Sequence, residues 1–132
     1  MGDQNPLTSL IVESTDNIDR ERLTSLLTGY VVFNKTGEIS FLPAFYKLSN
    51  SSKILIILVA QKARHLLFDN VADAMSPSEV IALDVMAEGS VKSCLKRLLE
   101  KTHDVKKDGE KRYYVPNYLL EELHSKIGTE EA

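Results

Sequence analysis

Residues 76–100 read SPSEVIALDVMAEGSVKSCLKRLLE, and the fold turns on them. Ser76 stands where a helix N-cap is wanted and Pro77 fits the first helical position. Glu79, three residues after the cap, completes a capping box. The helix that opens there is short and ends near residue 83 or 84. Val85-Met86-Ala87-Glu88-Gly89-Ser90 then reads as a turn. Beyond it Val91, Cys94, Leu95, Leu98 and Leu99 recur at i, i+3, i+4, i+7 and i+8, which is one apolar face. Lys92, Ser93, Lys96, Arg97, Glu100 and Lys101 take the opposite face.

Upstream, residues 53–68 are the most apolar in the chain. Ile54, Leu55, Ile57, Leu58, Val59 and Ala60 cover most of the circumference of a helix, as a central core helix requires. Its polar members, Gln61, Lys62, Arg64 and His65, gather in the second half, so that end is expected to reach solvent. Ser49-Asn50-Ser51-Ser52 supplies candidate N-caps, and residues 69–75 read as a helix end or a connecting loop. Downstream, Val105-Lys106-Lys107, the turn residues Asp108-Gly109 and Lys111-Arg112-Tyr113-Tyr114-Val115 make a hairpin. Pro116 opens a last amphipathic helix with Tyr118, Leu119, Leu120, Leu123 and Ile127, closed by Gly128.

Ahead of all this, Asp19-Arg20-Glu21-Arg22 with Leu23, Leu26 and Leu27 predicts a short helix. Residues 30–33 and 39–42 flank Asn34-Lys35-Thr36-Gly37 as a first hairpin, which Pro43 ends. Residues 1–17 are polar apart from Leu10-Ile11-Val12 and read as a loose arm. Leu23, Leu26, Leu27, Lys35, Gly37 and Glu38 recur at an offset of 72 as Leu95, Leu98, Leu99, Lys107, Gly109 and Glu110. Both copies run helix, hairpin, then proline and an aromatic. The first has too little chain before it to be a full duplicate, so it is half a module or coincidence.

Residues 51–127 therefore run helix, short helix, turn, basic amphipathic helix, basic hairpin, helix. This order resembles the winged helix-turn-helix DNA-binding domain of many bacterial and archaeal regulators. The resemblance rests on Ser76-Pro77-Ser78-Glu79-Val80-Ile81-Ala82, on Glu88-Gly89-Ser90-Val91, and on Lys107-Asp108-Gly109 with Tyr113-Tyr114-Val115-Pro116. It implies an α+β protein whose C-terminal winged helix has a three-helix core, a β-hairpin wing and a final helix. Residues 1–50 form an N-terminal arm with a helix-hairpin extension, 51–128 the winged helix, and 129–132 a tail. The function implied is duplex-DNA binding by a transcriptional regulator, with helix 88–101 in the major groove and the wing 105–115 on the flanking backbone or minor groove. Gly89 and Ser90 would let helix-start amides approach a phosphate. Lys92, Ser93, Lys96 and Arg97 would face the DNA, Arg97 being placed for bidentate contact to guanine, and Lys107, Lys111 and Arg112 would serve the wing. Winged helices also serve as protein-interaction modules, which is the alternative. A homodimer is expected, joined through the apolar stretch between Leu23 and Leu58, and the N-terminal half is also open to a protein partner.

The charge distribution bears on this. The 132 residues carry a formal net charge of −3, which on its own speaks against binding phosphates. Yet residues 91–115 hold 8 basic and 4 acidic side chains, a local +4, and so half of the 16 lysines and arginines. The plain alternative is a solvated helix face followed by a charged turn. The hydrophobic share of 43 % beside 27 % charged residues fits one soluble globular domain. The single cysteine, Cys94, falls on an apolar face and reads as a core hydrophobe, and no internal disulfide is available to it. With no signal-like start at Met1-Gly2-Asp3-Gln4-Asn5 and no apolar run long enough for a membrane span, a cytoplasmic setting is expected.

No catalytic set emerges, so the chain is not expected to be an enzyme or to carry a cofactor. His65, His103 and His124 lack metal-ligand spacing, the glycines are scattered, and Glu121-Glu122 reads as a solvating pair. Tyr113, Tyr114 and Tyr118 read as packing residues rather than a base-stacking platform.

Overall fold

The computed structural model describes residues 20–127. The expectations for the arm 1–17, for Asp19 at the start of the first helix, for Gly128 and for the tail 129–132 lie outside the described residues. Within them the protein is mixed helix and strand, with five α-helices and two small antiparallel hairpins.

The central element is α2 (Asn50–Leu67), and its start follows from the serine run. The Ser49 hydroxyl accepts the Ser52 amide at 3.2 Å. From Ile54 to Ala63 every side chain is buried, because both α1 (Arg20–Leu27) and α4 (Glu88–Glu100) pack on this helix. The expected opening of this end to solvent holds for His65 and Leu67, which are exposed, whereas Gln61 and Lys62 are buried, at 6 % and 4 % exposure, in a stretch closed off from solvent. The connection 69–75 and the C-terminal hairpin cover it. Gln61 Nε2 donates to the Ala72 carbonyl at 2.7 Å, and Lys62 Nζ lies 5.9 Å from the centre of the Tyr114 ring.

The helix α3 (Pro77–Ala82) begins on the complete capping box. Glu79 N donates to Ser76 Oγ and Ser76 N donates to Glu79 Oε1. A left-handed residue, Asp84 (φ 60°), turns the chain toward α4. After α4, His103 (φ 59°) turns it again. The 5 %-exposed Asp104 then accepts the Lys126 ammonium at 2.8 Å, fastening α5 (Leu120–Lys126) below.

The C-terminal hairpin pairs β3 (Lys106–Lys107) with β4 (Tyr113–Tyr114). The connection 69–75 is more than a loop, since Met75 and Tyr113 exchange both backbone bonds, at 3.0 and 2.7 Å. A one-residue bridge thus flanks β4 on its other edge. Pro116 opens a 3₁₀ turn, Asn117–Leu119, rather than the α-helix expected there, and α5 begins only at Leu120. Tyr118 is 51 % exposed in consequence, while Leu120, Leu123 and Ile127 are buried.

The N-terminal hairpin pairs β1 (Val31–Phe33) with β2 (Ile39–Phe41), and a 3₁₀ turn, Pro43–Lys47, follows it. Both hairpins close through one turn. Asn34 N donates to Glu38 O, Gly37 N to Asn34 O, and Asn34 Oδ1 accepts the amides of Thr36 and Glu38. Asp108 N donates to Arg112 O, Lys111 N to Asp108 O, and Asp108 Oδ1 accepts the amides of Glu110 and Arg112. This is the three-residue loop that ends in a left-handed bulge residue. Gly37 (φ 92°) fills that position in the first, as a glycine there suggests, and Lys111 (φ 64°) in the second. The expected turn glycine, Gly109, does not take it. The sequence echo accordingly slips, since Leu27 matches Leu99 at 72 positions but Asn34 matches Asp108 at 74.

One apolar cluster runs from Leu23 to Ile127, across the boundary drawn near residue 50. Leu23, Leu26, Leu27, Val31, Phe45, Leu48 and Ile54 to Leu58 are all at 7 % exposure or less. This corrects the expected dimer surface, because those side chains are consumed inside the chain. On that stretch the exposed large hydrophobics are Val32 and Tyr46. Among the described residues no helix is long and apolar enough to cross a membrane.

Candidate nucleic-acid interface

The helix α4 buries Val91, Cys94, Leu95 and Leu98 and turns Lys92, Ser93, Lys96 and Arg97 outward, as its spacing dictates. Cys94 is 4 % exposed and packs as a small hydrophobe. The helix start at Ala87 carries no side-chain cap bond, so its first amides keep their donors for another acceptor. Gly89 is exposed there, with open space where a Cβ would stand.

The outward residues form two strips. Ser90, Ser93 and Arg97 face the beginning of α2 across a cleft of about 310 Å³, whose other wall is Ser49, Asn50 and Ser51. Arg97 Nη2 donates to the Ser51 hydroxyl and lies 3.8 Å from the Cys94 sulfur. The guanidinium is thus turned toward the α2 start rather than straight out to a base edge. Four serine hydroxyls, a guanidinium and the positive end of an 18-residue helix converge here, and none of the lining side chains is acidic. Such a set of donors suits an oxyanion. The second strip is Lys92 and Lys96 at i, i+4. Lys92 pairs with Glu88 at 3.1 Å, both well exposed, while Lys96 has no ion pair among the described residues.

The expected wing residues stand on the C-terminal hairpin. Lys107 lies 5.5 Å from the centre of the Tyr113 ring, and Lys111 is exposed at the bulge. Arg112 differs from expectation. It is held by Asp108 and Glu110 of its own turn, each at 3.3 Å, so its charge is met locally. The amide of Arg112, joined by the amide of Glu110 and the Arg112 guanidinium, outweighs desolvation and holds the Asp108 carboxyl below the usual carboxylate range.

The structure therefore brings Ser90, Ser93 and Arg97 into one site, leaves Gly89, Lys92 and Lys96 on the open face of α4, and sets Lys107, Lys111 and Arg112 on a separate element. Sequence reasoning missed Ser49, Asn50 and Ser51 as site residues. The signal is the Ser49-Asn50-Ser51-Ser52 run, whose local meaning is capping. Among the described residues no group of three His, Cys, Asp or Glu side chains is placed to hold a metal ion. Comparison with protein-family models, with curated proteins and with solved structures finds no match to this chain.

Proposed function

We propose that this chain is a duplex-DNA-binding protein of winged-helix type that works as a transcriptional regulator in the cytoplasm, by binding rather than by catalysis. The observation that carries the reading is the α4 surface, where Lys96 stands exposed and without an ion pair among the described residues beside an acid-free donor cleft. The element order supports it: a core helix, the single-residue bridge of Met75, α3, α4 and a hairpin whose second strand pairs with that bridge. In this reading a backbone phosphate seats between Arg97, Ser93 and the α2 start, fixing the register. Lys96 then reaches a base edge, and Lys107 and Lys111 rest on the flanking phosphates. The −7 carried by the rest of the chain orients the +4 segment toward the polyanion.

Fluorescence anisotropy with labelled random duplexes tests this. Lys96→Glu with Arg97→Glu is expected to abolish binding and leave the melting temperature unchanged. With four phosphates neutralised, log K should fall against log salt with a slope of about −3.6. Unchanged affinity in the double variant, or a slope near zero, would defeat the proposal. It would favour a protein-interaction module instead, a reading supported by the exposure of Val32 and Tyr46, at 49 % and 53 %. Those two side chains are also where a homodimer contact would be sought on the N-terminal half.

A further inference from the structure

Lys62 is the one lysine the described fold buries, at 4 % exposure, and no carboxylate comes within ion-pair distance of it among the described residues. It lines a cleft of about 200 Å³ between α2 and the base of the C-terminal hairpin. Asp73, Lys106, Tyr114, Asn117 and Tyr118 form other parts of the wall. Each of the two ammoniums lies 5.9 Å from a tyrosine ring centre, Lys62 at Tyr114 and Lys106 at Tyr118.

A buried ammonium whose counter-charge stands beyond ion-pair distance is costly, and a ring face offsets only part of that cost. Burial pushes the Lys62 ammonium below the ordinary lysine range, while the Asp73 carboxylate pulls it back up. Asp73 is exposed and acts at a distance, so it leaves the hydrogen-bonding positions of Lys62 open. An anion in the cleft would fill them and gain a second cation in Lys106. The Tyr114 and Tyr118 rings in the lining favour a ring attached to that anion over a compact ion.

We infer that this cleft is a binding site for a small aromatic carboxylate, with Lys62 taking the acidic group and Tyr114 and Tyr118 flanking the ring. The inference does not depend on the DNA-binding proposal, since it uses neither α4 nor the cleft at Arg97.

Benzoate is the probe, with benzamide as its neutral counterpart and acetate as the anion without a ring. Calorimetric titration of the full chain is expected to show saturable one-to-one benzoate binding, at least tenfold weaker acetate binding and no benzamide binding. Two-dimensional NMR should place the benzoate-induced shifts at Lys62, Tyr114 and Tyr118. Lys62→Met keeps the buried stem and removes the charge, so the variant should fold and its benzoate dissociation constant should rise about tenfold or more. Tyr118→Ala, at an exposed position, should weaken benzoate and leave acetate unchanged. Absence of benzoate binding, equal binding of benzamide, or unchanged affinity in a folded Lys62→Met protein would each overturn the site.

Discussion

In the N-terminal hairpin the turn Asn34-Lys35-Thr36-Gly37-Glu38 places glycine at its left-handed position. In the C-terminal hairpin Asp108-Gly109-Glu110-Lys111-Arg112 makes the same backbone bonds with lysine there. Even the end residues pair alike, Asn34 with Glu38 and Asp108 with Arg112. The surroundings diverge. The first hairpin is fastened to the core, with Phe33 edge-on to Phe68, Phe41 stacked on Phe45, and Arg64 Nε donating to the Gly37 carbonyl at 2.9 Å. The second is tied at its base by Val105, Val115 and the Met75–Tyr113 bridge, and turns Lys106, Lys107 and Lys111 to solvent. One turn serves a scaffold in one place and a presented, charged loop in the other. The turn chemistry therefore says little about use, and the flanking strands say most.

That contrast can be tested by unequal damage. Phe45→Ala removes a fully buried ring stacked 4.3 Å from Phe41, and should cost about 3–5 kcal/mol in denaturant unfolding. Any DNA affinity per folded molecule should be kept, which marks the N-terminal hairpin as support. Gly37→Ala comes next. At φ 92° an L side chain is strained by about 1–2 kcal/mol. Contact with Phe68, 3.4 Å from the added carbon, adds little to this.

Lys111→Gly should act in the opposite sense. It relieves the same strain but loosens the unfolded chain, for a net gain of about 0.5–1 kcal/mol in the same assay. If the loop meets phosphate, that more stable variant should also lower the salt slope of DNA binding by about 1. A stability gain in Gly37→Ala, or a loss in Lys111→Gly, would break the equivalence of the two turns.

The smallest effect is a response to acid. The Asp108 carboxyl titrates below its unfolded value, so its support of the turn is complete above the ordinary carboxylate range and fades as pH falls through the folded value. The Glu110 and Arg112 amide signals should shift in that acid window, while Thr36 and Glu38, held by the non-titrating Asn34, should not follow a titration of residue 34. Asp108→Asn should make the two turns alike.

Much of this was legible in the residues and some was not, for reasons that differ. The capping box at Ser76 and the span of α4 are local matters, fixed by hydrogen bonds three residues apart and by helical spacing, and so they could be read directly. Met75 carries no periodicity, since a strand of one residue has none, and only Tyr113 opposite defines it. Lys62 looked solvent-bound because its charge is visible in the sequence and the tyrosine whose ring faces its ammonium lies 52 positions away. Gly109 drew the turn toward itself, although the bulge position is set by the strand register and fell to Lys111. The donor cleft at Arg97 depends on serines more than 40 positions upstream, which nothing local connects to α4.

The packing of α1 against both α2 and α5 bears on the order in which the chain folds. The Ser25 hydroxyl and the His124 ring stand 2.8 Å apart across 99 positions of sequence. Every other α-helix forms between them along the chain, so the seam between the first and last described helices cannot close until α5 exists. Closure over so long a loop carries its entropy cost into the rate, because non-local contacts slow folding more than they weaken the folded state. During synthesis α1 must wait, its leucines unpartnered on one side, for a helix almost a hundred residues behind it.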